Sequence, residues 1–214
     1  MISGNKRLAL IKNANLDVGW LEFFFVNVLY QLGITKWNPR QNRLTDFEGK
    51  VSKELLQLGD IIPAGQYRRV SSLLIGGVFT HALVYVGDGK CVHVDGLGVR
   101  LVDYDWIFTE FDTMAIVRVP GITAEQQSSL VNFLLSHVGE PFDYWFDEKD
   151  ERAWFCSELI CAGLRQEGFN LNICNIEKNL PHPSDFLVAD LQVVYTSHCL
   201  EVGDGKVKLC YPFQ

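Results

Sequence analysis

The sequence has no dense cysteine framework, no run of basic residues, and no internal repeat or low-complexity segment. Its six cysteines include no Cys-x-x-Cys pair, which predicts mostly reduced, buried thiols of a cytosolic protein. Because the formal net charge is −7 and basic residues do not cluster, nucleic acid is not expected as a partner. Binding to an anionic membrane by charge alone is not expected either.

The N-terminal part lacks a secretory signal and an uninterrupted apolar span. Its first 15 residues are polar, so the expected location of the protein is the cytoplasm. Residues 16–34 form the most apolar stretch, but they include Asp17, Glu22, Asn27 and Gln31, which are costly inside lipid. An amphipathic helix packed on the domain is predicted here, and contact of residues 16–34 with a membrane surface is the alternative.

The remaining composition is that of a soluble globular protein with one substantial core: 214 residues, 48% apolar and 21% charged. Residues 1–50 are predicted to form an N-terminal helical extension, and residues 51–214 the main domain. Strand patterns gather in the middle of the chain around a Gly87-Asp88-Gly89 turn, and Thr123 begins a helix in capping-box register. Strands in the middle with helices on either side indicate an α+β fold.

Cys156 lies where an aromatic, apolar segment changes into a helical pattern. From this position Leu159, Ile160, Gly163 and Leu164 recur at three- and four-residue steps. A cysteine in the first turn of a helix faces unsatisfied backbone N–H groups and the positive end of the helix dipole, and both favour the thiolate. Because the thiolate is the nucleophilic form, Cys156 is the candidate catalytic nucleophile, with its own backbone N–H as an oxyanion donor.

Two histidines lie in the strand patterns that flank the turn: His81 before it and His93, 12 residues later, after it. We expect them near opposite ends of the hairpin, where they meet only if the sheet curls or if a third element brings Cys156 between them. His81 is the candidate general base. His93, Asp95 or Glu158 could hold its imidazole in the tautomer that accepts a proton.

Three further residues are candidates for supporting the site. Asp60 begins a strand and either caps a turn or assists catalysis. Tyr144 belongs to an aromatic cluster upstream of Cys156, which either packs under a loop or lines a pocket for an acyl chain or an aromatic group. Glu158 either complements the helix dipole or contributes to the site. Structural roles are favoured for Asp60 and Glu158.

Five short motifs occur in an order that resembles the YaeF/YiiX family. They are Gly59-Asp60-Ile61-Ile62, Thr80-His81-Ala82-Leu83-Val84-Tyr85-Val86-Gly87, Gly139-Glu140-Pro141-Phe142-Asp143-Tyr144, Phe155-Cys156-Ser157-Glu158-Leu159-Ile160 and Pro183-Ser184-Asp185-Phe186. This family consists of circularly permuted relatives of the NlpC-type papain-like cysteine peptidases, in which histidine precedes cysteine in the chain. The resemblance covers residues 58–186.

The resemblance implies a circularly permuted papain-like fold, with a central antiparallel sheet flanked by helices, as the catalytic domain in residues 51–214. It implies a cysteine hydrolase, either an amidase, a peptidase or an esterase, that forms a thioester with Cys156 as nucleophile and His81 as base. Where a glutamate would be expected in that family, this chain has His93, which is like the His–His–Cys set of the lecithin:retinol acyltransferase group. No metal or other cofactor is implied.

The sequence leaves several alternatives open. The same acyl-enzyme could pass its acyl group to an acceptor, which would make the protein an acyltransferase on lipids. Cys91, His93 and His81, with or without Cys156, offer ligand types that suit zinc. A non-catalytic binding module of the same fold is a third alternative. The expected substrate is a small molecule, lipid or peptide with an amide or ester bond, and homodimer formation is left open.

Overall fold

The computed structural model describes residues 20–35, 43–144, 153–174, 180–187, 190–203 and 206–209. Within these ranges the helices are α1 (Trp20–Ile34), α2 (Asp46–Leu55), α3 (Val70–Ile75), α4 (Ile107–Glu110), α5 (Ala124–Ser136) and α6 (Cys156–Gln166). The strands are β1 (Ile61–Gly65), β2 (His81–Gly87), β3 (Lys90–Asp95), β4 (Gly98–Asp103), β5 (Thr113–Arg118), β6 (Gln192–Thr196), β7 (Leu200–Gly203) and β8 (Lys206–Leu209). Short 3-10 helices occur at Tyr104–Trp106, Asn172–Cys174 and Pro183–Leu187.

Strands β1 to β6 form one antiparallel sheet in the order β4-β3-β2-β1-β5-β6, and β7 pairs with β8 in a separate hairpin. The predicted α+β fold with a central antiparallel sheet flanked by helices is confirmed. The predicted turn between β2 and β3 is also confirmed: Gly87, Asp88 and Gly89 have φ angles of 94°, 49° and 68°. Glycine adopts such left-handed angles without steric cost, which explains the glycines at this turn.

The sheet separates two apolar layers, because successive side chains of a strand point to opposite faces. The first, here called the helix layer, contains Ala82 and Val84 of β2 together with buried residues of α5 and α6. The second, here called the aromatic layer, contains Leu83 of β2 and lies against the segment that follows β4. The aromatic residues of that segment in this layer are Tyr104, Trp106, Phe108 and Phe111. Neighbouring residues of β2 therefore belong to different layers.

Helix α1 confirms a helix in the apolar N-terminal stretch, of which residues 16–19 lie outside the described residues. It contacts α3, and Asn27 is buried, whereas four apolar side chains are exposed: Phe24, Phe25, Val28 and Leu32. Among the described helices, none is both long and apolar enough to cross a bilayer. Helix α2 runs across the predicted boundary at residue 50, and the domain division and the membrane contact stay predictions.

Cys161 of α6 forms a disulfide with Cys174, 13 residues further along the chain, with their Cα atoms 5.1 Å apart. The expectation of reduced cysteines is therefore wrong for this pair. The two cysteines are 13 residues apart in the sequence, so no close spacing indicates the pair. They meet because the chain turns back after α6 and packs the Asn172–Cys174 turn against it. The disulfide connects the helix that begins at Cys156 with the 3-10 turn Asn172–Cys174.

Asp60, which precedes β1, is fully buried and is held by charged and backbone donors. Arg118 donates from Nε to Oδ1 at 2.7 Å and from a terminal nitrogen to Oδ2 at 2.8 Å, and the backbone N–H of Gln57 donates to Oδ2 at 2.7 Å. The paired carboxylate raises the pKa of Arg118 through these hydrogen bonds. Asp60 therefore fastens the loop before β1 to the end of β5.

Arg118→Met is expected to lower the free energy of unfolding by about 3 kcal/mol, because it leaves a buried carboxylate without its cation. Combining it with Asp60→Asn should restore part of the loss, since the uncompensated charge is then removed. Urea unfolding followed by circular dichroism measures both. Lys53→Met is the control, because it breaks an ion pair whose side chains are 47% and 72% exposed. Equal losses for Arg118→Met and Lys53→Met would contradict a stabilising role for the buried pair.

Candidate active site

The two histidines lie side by side on the aromatic-layer face of the sheet. Strand β3 pairs with β2 so that His93 lies opposite Leu83, which makes it the diagonal neighbour of His81. His81 Nε2 is 3.0 Å from His93 Nδ1. The expectation that they lie near opposite ends of the hairpin is wrong. The observed strand register brings them together without any third element between them.

Aromatic rings enclose this histidine pair. Phe111 stacks on His81 with ring centroids 5.6 Å apart, and Trp106 lies 4.8 Å from the ring of His93. Burial lowers the pKa of His81 to about 4. The negative charge of Asp95 opposes this shift, and the positive charges of Arg69 and Arg100 add to it. Burial also lowers the pKa of His93, with further contributions from His81 and Arg100. Both imidazoles are therefore neutral at pH 7.

Their shared hydrogen bond restricts the tautomers that the pair can adopt. Within the described residues, Nδ1 of His81 makes no hydrogen bond, and Nε2 of His93 is buried without a partner. If His81 carries its proton on Nε2, it donates to His93 Nδ1, and its own Nδ1 has a lone pair available. In that state His81 can accept a proton from a thiol, and His93 acts as the acceptor that fixes the tautomer.

Cys156 begins α6, as the sequence predicts, and its side chain packs against the helix layer. Burial raises the pKa of the thiol above its ordinary value, while hydrogen bonds from the side chain of Ser157 and the backbone of Ala82 oppose the rise. Sγ lies 3.8 Å from Ser157 Oγ. The expectation that the helix start favours the thiolate is therefore wrong for the resting protein, because desolvation outweighs the backbone donors.

The thiol and the histidine pair both lie at the same end of β2, the thiol against the helix layer and His81 against the aromatic layer. Cys156 lies beside the backbone of Ala82, whose side chain belongs to the helix layer. His81, the preceding residue and the first of β2, stacks in the aromatic layer. Among the described contacts, no hydrogen bond joins Cys156 Sγ to either imidazole. A catalytic Cys156–His81 pair stays a prediction.

The supporting candidates lie at three different places. Asp60 lies at the Tyr85 end of β2, where its carbonyl accepts the N–H of Tyr85 at 2.9 Å. Tyr85 is four residue steps along the strand from His81, about 13 Å. The structure therefore does not bring Asp60 to the histidines. The described contacts of its carboxylate are with Arg118 and with the backbone N–H of Gln57.

Glu158 lies in the first turn of α6 and accepts the backbone N–H of Phe155 at 3.2 Å, so it closes the start of the helix that presents Cys156. Tyr144 donates its hydroxyl hydrogen bond to the carbonyl of Gly96, in the turn that links β3 to β4. Burial raises the pKa of Tyr144, and the neighbouring Tyr30 and Asp95 add to this. Trp145 and Phe146 of the aromatic cluster lie outside the described residues.

Residues that the sequence did not single out complete the surroundings of the histidines. Arg100 of β4 lies directly opposite His93 and forms an ion pair with Asp95, which is thereby engaged and does not bond to His81 in the described contacts. Trp106 and Phe111 follow β4 and fold back over the sheet. Strand alternation could have placed Arg100 on this face, but no sequence pattern indicates where the two aromatic residues pack.

The same residues do not assemble a metal site. His81 and His93 offer two neighbouring imidazoles, but the described part of the chain contains no group of three histidine, cysteine or acidic side chains that could hold an ion. Cys91 shares the strand with His93, yet it is buried in the aromatic layer, and burial raises its thiol pKa far above the ordinary value. The arrangement fits proton transfer between imidazoles better than metal binding.

Comparisons with known proteins agree with this arrangement of strands and helices. Residues 55–185 match the model of a family described as permuted papain-like amidase enzyme, YaeF/YiiX, C92 family. The crystal structure of the metalloprotein YiiX from Escherichia coli O157:H7 has a similar fold, with a TM-score of 0.54 and 21% sequence identity. The similarity covers 66% of this chain and 97% of that one. No curated protein matches the chain.

The family match extends over more than half of the 214 residues and includes both His81 and Cys156. It agrees with the order in which the chain presents them, the strand histidine before the helix-start cysteine. The chain therefore belongs to the YaeF/YiiX family of permuted papain-like amidases, which makes it a papain-like cysteine hydrolase in general terms.

Proposed function

We propose that the protein cleaves an amide or ester bond through a thioester acyl-enzyme on Cys156. The observation that carries this proposal is the 3.0 Å contact between His81 Nε2 and His93 Nδ1. It leaves Nδ1 of His81 available at the end of β2, next to Ala82, where the thiol of Cys156 lies. The proposal requires that the imidazole of His81 and the thiol of Cys156 meet at this strand end, with His93 orienting the base.

The reaction begins from a neutral thiol and a neutral imidazole, because burial raises the pKa of Cys156 and lowers that of His81. His81 Nδ1 takes the thiol proton as Sγ attacks the carbonyl carbon. The resulting oxyanion is held by the backbone N–H of Cys156, and one such donor contributes about 2.7–4 kcal/mol. The His81 imidazolium then protonates the departing amine or alcohol, and water releases the acyl group by the reverse sequence of proton transfers.

His93 serves this reaction by accepting a hydrogen bond from the Nε2–H of His81. The hydrogen bond stabilises the imidazolium that forms when His81 takes the thiol proton. We propose that His93 has the role of the second histidine in the His–His–Cys set of the lecithin:retinol acyltransferase group. Hydrolysis and acyl transfer differ only in whether water or an acceptor molecule attacks the thioester. We favour hydrolysis, since the family is one of amidases. The substrate class proposed is a peptide, lipid or small-molecule amide or ester.

A zinc centre is a second candidate, because the related YiiX is described as a metalloprotein and two imidazoles adjoin here. The described residues do not fit it, since they include no group of three ligands. Measuring zinc in the purified protein separates the two candidates. Zinc bound in a one-to-one ratio and lost in His93→Gln would favour the metal centre over the acyl-enzyme.

Acyl-enzyme formation tests the proposed function directly. The protein is mixed with p-nitrophenyl acyl esters and with acyl amides of peptides and lipids, quenched in acid, and analysed by intact-protein and peptide mass spectrometry. The expected result is one acyl group on the peptide that contains Cys156. Acylation of a different residue, or steady hydrolysis with no adduct in the wild type and no loss in a Cys156 variant, would overturn the proposal.

The pH dependence of activity is expected to reflect a neutral resting pair. Because His81 must be neutral to accept a proton, and its pKa is about 4, kcat/KM should fall only below about pH 5. The raised pKa of the Cys156 thiol places the alkaline change above the ordinary range for cysteine. Alkylation of Cys156 by iodoacetamide should rise about tenfold per pH unit near neutrality. A constant alkylation rate from about pH 5 to about pH 8 would instead indicate a resting thiolate–imidazolium pair.

A further inference from the structure

A thiol, an imidazole and a carboxylate lie within hydrogen-bond distance of one another in succession, and none of them belongs to the site described above. Cys199 Sγ is 3.2 Å from His198 Nε2, and His198 Nδ1 is 2.9 Å from Glu48 Oε1. The three residues lie outside residues 55–185, which match the family, and none of them takes part in the proposed hydrolysis. We call them the Cys199 cluster.

Glu48 is a fixed member of the Cys199 cluster because it also closes the start of α2. Its Oε2 accepts the backbone N–H of Thr45 at 3.0 Å, and the Thr45 hydroxyl oxygen accepts the backbone N–H of Glu48 at 3.3 Å, which together form a capping box. Oε1 faces His198 and accepts the backbone N–H of that residue at 2.9 Å as well as its ring nitrogen. The carboxylate is thus held from one side and presented to the imidazole on the other.

The ionisation of Glu48 agrees with this role. Burial alone would raise the pKa of the carboxyl group, but the hydrogen bonds from His198 and Thr45 outweigh it and lower the pKa below its ordinary value. An ionised Glu48 favours the tautomer in which His198 carries its proton on Nδ1. Nε2 of His198 then faces the sulfur of Cys199 and can take its proton.

Burial restricts what this sulfur can react with. Cys199 is 1% exposed, so no peptide or lipid carbonyl can be placed against it, and a small oxidant needs a local opening of the protein to reach the sulfur. The side chain of His198 is 48% exposed, so the imidazole is in contact with solvent. Tyr67 lies within electrostatic range of Cys199, and burial keeps its phenol protonated by raising its pKa.

Cys91 provides an internal comparison. It is buried among apolar side chains of the aromatic layer, and burial is the cause that raises its thiol pKa. Cys199 is buried to the same degree but has an imidazole at hydrogen-bond distance. A difference in reactivity between the two therefore reports on the imidazole and not on burial.

We propose that Cys199 is a modification site, a thiol that peroxide-sized oxidants convert to sulfenic acid, with His198 as proton carrier and Glu48 as the residue that positions it. In this step the Cys199 proton moves to His198, and the sulfur attacks one oxygen of hydrogen peroxide. An S–O bond forms as the O–O bond breaks, and two electrons pass from sulfur to the peroxide. The departing hydroxide takes the proton from His198 and leaves as water.

The test is to treat the full chain with hydrogen peroxide at neutral pH in the presence of dimedone, which traps sulfenic acids, and to follow each cysteine peptide by mass spectrometry. Cys199 is expected to be trapped at least about tenfold faster than Cys91 in the same molecule. His198→Gln should slow trapping at Cys199 by about tenfold, because thiolate stabilisation and the proton donor are both lost. Circular dichroism confirms that the variant is folded.

His137→Gln is the matched control, since His137 contacts Phe133 and Trp154 and none of the free thiols in the described residues. Equal trapping rates at Cys199 and Cys91 in the wild type would overturn the proposal without the use of any variant. An unchanged Cys199 rate in His198→Gln, relative to His137→Gln, would overturn the role of the imidazole. Because the assay reads oxidation at Cys199, its outcome does not depend on whether Cys156 forms an acyl-enzyme.

Discussion

Replacing Cys156 with alanine is expected to lower kcat/KM for the best amide or ester substrate by about 10³-fold or more. The sulfur of Cys156 is the protein atom that bonds to the substrate carbonyl carbon in the proposed mechanism, so its loss removes the acyl-enzyme route. Cys156→Ser should be nearly as inactive, because a hydroxyl is far more difficult to deprotonate than a thiol and His81 is a weak base. Steady-state kinetics with the substrate identified by acyl trapping measure both variants.

Cys91→Ala is the matched control for this experiment. It removes a thiol from another buried position that takes no part in the proposed reaction, and burial raises the pKa of that thiol. We expect it to keep most of the wild-type kcat/KM, with a modest loss of stability from the small cavity. Activity of Cys156→Ala above about a tenth of the wild-type value would exclude the proposed nucleophile.

Replacing His81 with glutamine is expected to lower kcat by about 10²- to 10⁴-fold with little change in KM, because the base acts in the chemical step and not in substrate binding. His81→Ala should recover part of its activity when imidazole is added, since the variant leaves a space between Phe111 and His93 for the free base. Stopped-flow acylation and steady-state kinetics across pH distinguish the chemical step from binding.

Two substitutions of His93 test its role as the hydrogen-bond acceptor for His81, because glutamine has a side-chain oxygen that can accept and leucine has none. His93→Gln keeps an oxygen that can accept the Nε2 proton of His81 and should lose about tenfold in kcat. His93→Leu removes the acceptor, leaves the donor unsatisfied, and should lose more. If His93→Gln proved as inactive as His81→Gln, and His81→Ala gave no response to imidazole, His93 would be the better candidate for the base.

The sequence predicted the sheet well, because strand alternation and turn chemistry are local properties. The Gly87-Asp88-Gly89 turn, the strands around it and the capped start of α5 at Thr123 all follow from neighbours within a few residues. The register between β2 and β3 does not, since the pairing shifts between Tyr85 and Gly87. That irregularity decides which residue faces His81, so the closeness of His93 was not predictable.

The ionisation of the candidate site depended on tertiary packing as well. A helix start predicts a stabilised thiolate at Cys156, but the desolvation that raises its pKa arises from packing against the sheet. The low pKa of His81 comes first from burial, to which Phe111 and its surroundings contribute after the chain folds back. Sequence patterns indicate which side chains are titratable, whereas the packing around each one decides whether its pKa is raised or lowered.

By itself, the sequence determined the α+β class, the order in which a strand histidine precedes a helix-start cysteine, and the choice of Cys156 and His81 as the residues to examine. These are consequences of local periodicity and of motifs that lie within short segments. The tertiary structure alone decided the His81–His93 contact, the Cys161–Cys174 disulfide and the meeting of Glu48 with His198, 150 residues apart. Such contacts depend on register and packing between distant segments, which no local pattern specifies.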